Sequence, residues 1–192
     1  ASTVLRDRVV IGVSGTHGKT TTTSLVAWIL DYAGRKAGFL IGGAPADFEF
    51  SARLGNDPVF VIEADEYDTA FFDKRAKFLL YRPQTLIINN LEFDHADIYP
   101  DLAAITRQFH QLIRAIPGNG TLIVPGKDAN VDALLKLGCW TPLQRFASSN
   151  GAVADWTACE DPPGTLSIRH GNAEIGHCDW QLSGAHNAEN AL

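Results

Sequence analysis

Gly15, Thr16, His17, Gly18, Lys19, Thr20 and Thr21 gather, in seven consecutive residues, the groups that a polyphosphate requires. Glycines let backbone N–H groups approach anionic oxygens and adopt torsions that a side chain forbids. Lys19 offers a compact positive charge for β and γ phosphates, and the Thr20 hydroxyl is of the type that ligates Mg²⁺. A helix starting at this point adds its free N–H groups and its dipole to the same positive potential. The reading is a phosphate loop for a nucleoside triphosphate with magnesium. Its spacing differs from the pattern G-x-x-x-x-G-K-[ST], which wants glycine where Val13 stands; Gly12 lies one residue early and Gly15 falls inside the loop.

Two polar clusters accompany the loop. Glu63-Ala64-Asp65-Glu66-Tyr67-Asp68 crowds carboxylates directly behind an apolar run at 59–62. Like charges repel there, and a divalent cation relieves the repulsion. Glu63, first after the run, is the candidate magnesium ligand; the competing reading is a solvated acidic loop. Asn89-Asn90-Leu91-Glu92-Phe93-Asp94-His95 follows a second apolar run, residues 85–88. A lone histidine is more often structural than a ligand. His95 has Asp94 beside it and Asp97 close by, a set suited to a second metal or to orienting a substrate.

The elements that would position these residues follow from the apolar pattern. Residues 9–13, 59–62, 85–88 and 121–124 are short, unalternated apolar runs, as strands buried on both faces of a parallel sheet should be. Residues 37–41 read as a further strand and 144–147 as an edge strand. Helices are expected over 20–32, with Leu25, Val26, Ile29 and Leu30 as the buried stripe, over 102–116 and over 128–137. Alternating strands and helices predict a P-loop NTPase-like α/β fold, a mostly parallel sheet with helices on both faces. Ligands of such sheets sit at the carboxyl ends of the strands, where the three motifs fall. After residue 147 the pattern changes. Stretches at 153–160, 165–169 and 174–182, separated by turn signals, read as a small antiparallel meander over 148–185, with a helix starting at 186–192.

Composition sets bounds. With 192 residues the chain fits one domain, and 45% apolar with 20% charged residues is ordinary for a globular protein. Acidic residues outnumber basic ones by 22 to 16, which argues against a bulk nucleic-acid binder. No apolar run approaches the roughly 18 residues of a membrane span, and no secretory leader is expected. Cys139, Cys159 and Cys178 form no C-x-x-C pair, so neither a disulfide framework nor a structural zinc site is expected. The simplest reading is a reduced, cytoplasmic protein. The chain holds no methionine and stops just as an element begins, so it reads as a piece of a longer protein.

The stretch Gly15 to Thr22, then Glu63-Ala64-Asp65-Glu66, then Asn90-Leu91-Glu92-Phe93-Asp94-His95, then His186-Asn187-x-x-Asn190, occur in the order seen in the Mur ligases, which the chain resembles over essentially its whole length. The resemblance implies their central ATP-binding domain, with a UDP-sugar domain before it and an amine-substrate domain after it, both outside this chain. Residues 63–75 and 89–97 look most like the branch that joins a recycled murein tripeptide to UDP-N-acetylmuramate, making those two molecules the implied partners. By resemblance, ATP and Mg²⁺ are the cofactors. Lys19 stabilises the γ-phosphoryl group, Thr20 and Glu63 hold the first Mg²⁺, and His95 holds the second. Asn90 joins the loop residues in the nucleotide site. His186, Asn187 and Asn190 receive adenine, an imidazole stacking on the base and an Asn amide pairing with its N6/N7 edge. The implied chemistry is attack of the muramate carboxylate on the γ-phosphate, then attack of the amine on the resulting acyl phosphate. Some Mur ligases carry a carbamylated lysine after the His95 motif. Residues 96–120 contain no lysine, and Arg107 and His110 occupy that region. Three alternatives stay open: a UDP-N-acetylmuramate–L-alanine ligase, a folylpolyglutamate synthase, and a nucleotide-binding domain without ligase activity. A site assembled by domain closure cannot close alone, so this chain by itself is expected to be nearly inactive.

Overall fold

The unalternated apolar runs become the inner strands of one sheet. The structure, a computed structural model, describes residues 2–70, 73–93, 99–148, 153–182 and 184–192, with backbone alone at residues 2, 68–70 and 73–75. A single turn, α1 (Ser2–Leu5), precedes β1 (Val9–Ser14) and the loop helix α2 (Lys19–Tyr32). Then come β2 (Gly38–Leu40), β3 (Ala52–Arg53), β4 (Val59–Glu63), β5 (Asp68–Ala70), β6 (Asp73–Ala76), a 3₁₀ turn at Lys77–Leu80, and β7 (Thr85–Ile88). α3 (Leu102–Ala115), β8 (Thr121–Pro125), α4 (Ala129–Lys136) and β9 (Leu143–Ala147) follow. β10 (Trp156–Glu160), β11 (Thr165–His170), β12 (Ala173–Asp179) and α5 (Ala185–Asn190) complete the chain.

Ten strands form the main sheet in the order β12-β11-β10-β9-β8-β7-β1-β4-β2-β3. Every pairing from β2 across to β10 is parallel. In this sheet, among the described residues, β2–β3, β10–β11 and β11–β12 are the antiparallel pairs. β1 lies between β4 and β7, and the register sets Val13 against Glu63 and Ser14 against Ile88. The polar ends of three strands therefore reach the same edge at the same level.

Helices cover both faces. α3 and α4 pack on Leu86, Ile88, Leu122 and Val124 through Ile105, Phe109, Leu112, Val131 and Leu134. On the other face α2 covers Ile11, Val59 and Val61 with Val26, Ala27 and Leu30. Asp101 caps α3, accepting from the Ala104 N–H at 2.7 Å, and Asp128 caps α4, accepting from Asn130 and Val131. α2 has no side-chain cap, and Gly18 stands at its N-terminus with φ 79°. α2 thus leaves its first N–H groups without a side-chain partner, as does α5 behind Gly184, whereas α3 and α4 are capped.

The structure departs from the sequence pattern in several places. Residues 143–147 are an interior strand, not an edge: β9 is flanked by β8 and β10. The antiparallel meander exists but extends the main sheet through the parallel β9–β10 pair. Of the expected α2 stripe, Val26 and Leu30 pack partly buried on the core and Ile29 is half exposed, while the fully buried positions are Lys19, Thr22, Thr23 and Ala27. The threonine can enter the interior because its Oγ1 donates to a carbonyl one turn back, Thr23 to Lys19 O at 2.7 Å. The hairpin β5–β6, paired antiparallel beyond the acidic stretch, has no apolar alternation to announce it.

Candidate active site

The loop after β1 is fixed by the strand end beside it. Asn90 clamps it: its Oδ1 accepts from the His17 N–H at 2.8 Å, its Nδ2 donates to His17 O at 3.2 Å, and its carbonyl accepts from the Thr16 N–H. Thr16 Oγ1 accepts from the Glu92 N–H at 2.8 Å. His17 itself is exposed, with Glu92 3.9 Å away. Gly15 is required by close approach: a Cβ there, at φ 129°, would lie 3.0 Å from Asn90 O. The missing glycine at position 13 has the same explanation in reverse. Val13 is wholly buried strand, and the loop begins only after Ser14.

Lys19 is buried and turned back over the loop. Its Nζ donates to Gly15 O at 2.7 Å and Thr16 O at 3.3 Å. Glu66 lies 3.5 Å and Asp65 3.9 Å from the ammonium. Asp65 also faces Lys77 at 3.6 Å. Asp65 and Glu66 are therefore balanced by lysines, and among the described carboxylates of the stretch the repulsion argument for a cation is left to Glu63. Glu66 is 2% exposed and belongs to the wall behind the loop, where its carbonyl accepts from the Tyr99 hydroxyl. Burial, and secondarily the Asp65 carboxylate, holds the Tyr81 phenol above its ordinary range.

Glu63 and Thr20 face each other across the β1–β4 pair. Thr20 Oγ1 donates to Glu63 Oε1 at 3.0 Å, and Glu63 Oε2 accepts from the Gly42 N–H at 2.7 Å. A Cβ at Gly42 would sit 3.0 Å from the carboxylate, so any larger residue would make the Glu63 side chain give way by a few tenths of an ångström. A hydroxyl and an anchored carboxylate are hard oxygen donors beside a phosphate loop, the set that Mg²⁺ accepts when phosphates and waters complete its shell. Among the described residues no group of three or more His, Cys, Asp or Glu side chains could hold a metal. His95 and its neighbours Asp94 and Asp97 lie outside the described residues. Thr21, half-buried, follows on α2.

The C-terminal motif divides. His186 is exposed and Asn187 half-buried on α5, with the Asn187 N–H bonded to Gly184 O at 3.0 Å. Asn190 Oδ1 instead accepts from Thr22 Oγ1 at 3.2 Å, on the side of the loop helix. His110 does not approach the site: it faces Trp140, which stands between α4 and β9 at the opposite edge of the sheet. Cys139, Cys159 and Cys178 are free thiols. Among the described residues no helix is long and apolar enough to cross a membrane.

Sequence reasoning placed Asn89 and Thr22 inside motif stretches without a role of their own, and missed Gly42 and Lys77. Gly42 follows a strand run, which is a usable signal. Lys77 carries none, because its role depends on a partner that no spacing reveals.

Residues 13–192 match the Mur ligase middle domain. The chain is 50% identical over 191 residues to the UDP-N-acetylmuramate–L-alanyl-γ-D-glutamyl-meso-2,6-diaminoheptandioate ligase of Escherichia coli K12, covering 98% of this chain and 41% of that protein. It is 34% identical over 196 residues to the UDP-N-acetylmuramate–L-alanine ligase of Solibacter usitatus, covering 98% and 39%. The crystal structure of UDP-N-acetylmuramate:L-alanyl-γ-D-glutamyl-meso-diaminopimelate ligase from Neisseria meningitides superposes with a TM-score of 0.90 at 49% identity, covering 98% of this chain and 60% of that one. The chain spans about two fifths of the length of the curated relatives it matches.

Proposed function

The chain belongs to the Mur ligase family, as its middle domain, and on that premise we propose that it is the ATP- and Mg²⁺-binding part of an amide ligase that joins UDP-N-acetylmuramate to a murein tripeptide. The observation that carries this is one cluster: an uncapped helix start, Lys19 within it, and the Thr20–Glu63 pair 3.0 Å apart at the same strand edge. Such a cluster has the parts needed to hold a triphosphate and direct its γ-phosphoryl group. The higher identity to tripeptide ligases than to an L-alanine ligase, 50% against 34%, favours the tripeptide as amine substrate. We assign the reaction to the cytoplasm, where ATP and UDP-sugars are supplied.

Thr20 and Glu63 would hold the Mg²⁺, which supplies charge neutralisation on the phosphate oxygens; His95 is our candidate for a second ion. The N–H groups of the loop and of the first turn of α2 orient the β and γ phosphates. Lys19 leaves Gly15 O and Thr16 O to meet the charge that grows as the γ-phosphoryl group moves. The muramate carboxylate oxygen bonds to the γ-phosphorus as the bond from that phosphorus to the β,γ-bridging oxygen breaks, giving an acyl phosphate and ADP, which keeps that oxygen. The tripeptide amine then bonds to the acyl carbon, releases inorganic phosphate and loses a proton. His186 and Asn187 are our candidates for the adenine end.

The test is phosphate release by the protein that carries this chain. Release should require ATP, UDP-N-acetylmuramate and the tripeptide together, and should fall away when L-alanine replaces the tripeptide. Equal turnover with L-alanine would move the assignment to the alanine-adding branch. Nucleotide hydrolysis indifferent to both substrates would overturn the ligase reading. Residues 1–192 alone should bind nucleotide without ligating, since a site completed by closure needs its other walls.

A further inference from the structure

Asn190 lies 168 residues from Thr22, yet its Oδ1 accepts from the Thr22 hydroxyl at 3.2 Å. Thr22 Oγ1 in turn accepts from Asn89 Nδ2 at 3.0 Å. The same Nδ2 lies 3.5 Å from Asn190 Oδ1. The bonds run one way, from the amide of Asn89 through the hydroxyl to the carboxamide oxygen, so each polarises the next. Thr22 and Asn89 are both buried. Gly18 closes the space: a Cβ there would lie 2.7 Å from Asn190 Oδ1 and 2.8 Å from Asn89 Nδ2. α5 is also held by apolar contacts, Ala188 against Ala158 of β10 and Leu166 of β11, and by the Ser148 hydroxyl, which donates to Glu189 Oε1 at 2.8 Å. This chain of bonds joins the end of β7, the first turn of the loop helix, and the helix that carries His186 and Asn187.

We infer that Asn190 is a positioning residue, a latch that works through Thr22 and Asn89 to couple the order of α5 to occupancy of the phosphate loop. With its oxygen engaged on the loop helix, the Asn190 carboxamide fixes where α5 sits. The two ends of a nucleotide site then behave as one unit: phosphate on the loop steadies the helix at the base end, although no phosphate touches that helix. The inference rests on the phosphate-loop reading above but not on the ligase reaction.

Amide hydrogen exchange on the whole protein tests it, with magnesium tripolyphosphate as the probe because it has no base. At saturation, exchange should slow in residues 15–22 and also in 185–190, by about fivefold in the latter, the factor one hydrogen bond of ordinary net strength supports. Thr22→Val should keep the slowing at 15–22 and lose it at 185–190; Thr22→Ser, which restores the hydroxyl, should show the slowing in both segments. If Thr22→Val does not fold, Asn190→Ala gives the same comparison from the half-buried end of α5. Unchanged α5 exchange in the wild type while the loop is protected would overturn the latch. So would equal α5 protection in Thr22→Val, or a Thr22→Ser protein that behaves like the valine variant. If tripolyphosphate protects neither segment, the phosphate-loop reading falls and takes the latch with it.

Discussion

Gly18→Ala should destabilise the protein well beyond its torsional cost, and a second glycine provides the reference. Gly18 has φ 79°, and a Cβ there would meet Asn190 Oδ1 at 2.7 Å and Asn89 Nδ2 at 2.8 Å. Gly34, at the other end of α2, has φ 77° and nothing within 4 Å of its would-be Cβ. Both substitutions carry the left-handed strain of about 1–2 kcal/mol. Both also reduce the freedom of the unfolded chain by the same amount, so that effect cancels in the comparison. Only Gly18→Ala must push two carboxamides aside. These are flexible side-chain ends, so the clash is relieved by movement, at the expense of the Thr22–Asn190 and Asn89–Thr22 hydrogen bonds at about 1 kcal/mol each. Gly18→Ala should therefore cost about 3–4 kcal/mol, near 6–16 °C in Tm for a chain of this size, against about 1–2 kcal/mol for Gly34→Ala. Urea unfolding followed by tryptophan fluorescence measures both variants. A Gly18→Ala protein within about 0.5 kcal/mol of Gly34→Ala would refute the packing argument, since that gap is the ordinary scatter between independent sites.

Glu63→Gln keeps an oxygen for the Gly42 N–H but loses the charge beside Thr20. Calorimetry should show affinity for Mg·ADP falling about tenfold or more, as for loss of one charge-assisted contact, with metal-free ADP little changed. Lys19→Met should lower the stability of the nucleotide-free protein by about 3 kcal/mol, because it removes the ammonium 3.5 Å from the buried Glu66 carboxylate. Adding Glu66→Gln should recover more than half of that in thermal unfolding; no recovery would mean that Lys19 matters only to ligand. The Arg53 guanidinium, first through its hydrogen bond and then through its charge, holds Asp31 below the usual carboxylate range. That stabilisation is present above the unfolded pKa of about 3.9 and is lost as pH falls through the folded value. Below about pH 4 the wild type should lose stability more steeply than Asp31→Asn, measured by urea unfolding across pH.

What the sequence made legible was whatever local order decides. Unalternated apolar runs mark β1, β4, β7 and β8 as inner parallel strands, and their polar followers mark the ligand edge. Glu63 opposite Thr20 is then a consequence of register, since β1 and β4 pair Val13 with Glu63. What stayed hidden depends on partners that no spacing reveals. β9 reads as an edge until β10 pairs with it from beyond residue 155. Asn89 and Asn190 are 101 residues apart, and the lysines that balance the acidic stretch lie on either side of it in sequence. The buried threonines of α2 stayed hidden for a different reason. A threonine scores as polar, but one bonded to the carbonyl a turn back is sealed and packs like a valine.

The run Thr20-Thr21-Thr22-Thr23 makes the same point more sharply. β-branched residues are mediocre helix formers, each costing a few tenths of a kcal/mol relative to alanine, and helix propensity cannot explain four in the first turns of α2. Successive residues turn by about 100°, so consecutive hydroxyls face different neighbours. Thr20 faces Glu63 at the end of β4, Thr22 faces Asn89 and Asn190 beside β7, and Thr23 bonds within its own helix at Lys19 O. One hydroxyl meets a strand-end carboxylate, one makes an interhelix bond, and one serves its own burial. A helix start flanked by two strand ends has two polar walls to satisfy and a third face to bury. Small side chains that both branch and hydrogen-bond meet all three demands, where serine would pack less and valine would leave Asn89 and Glu63 without a hydroxyl.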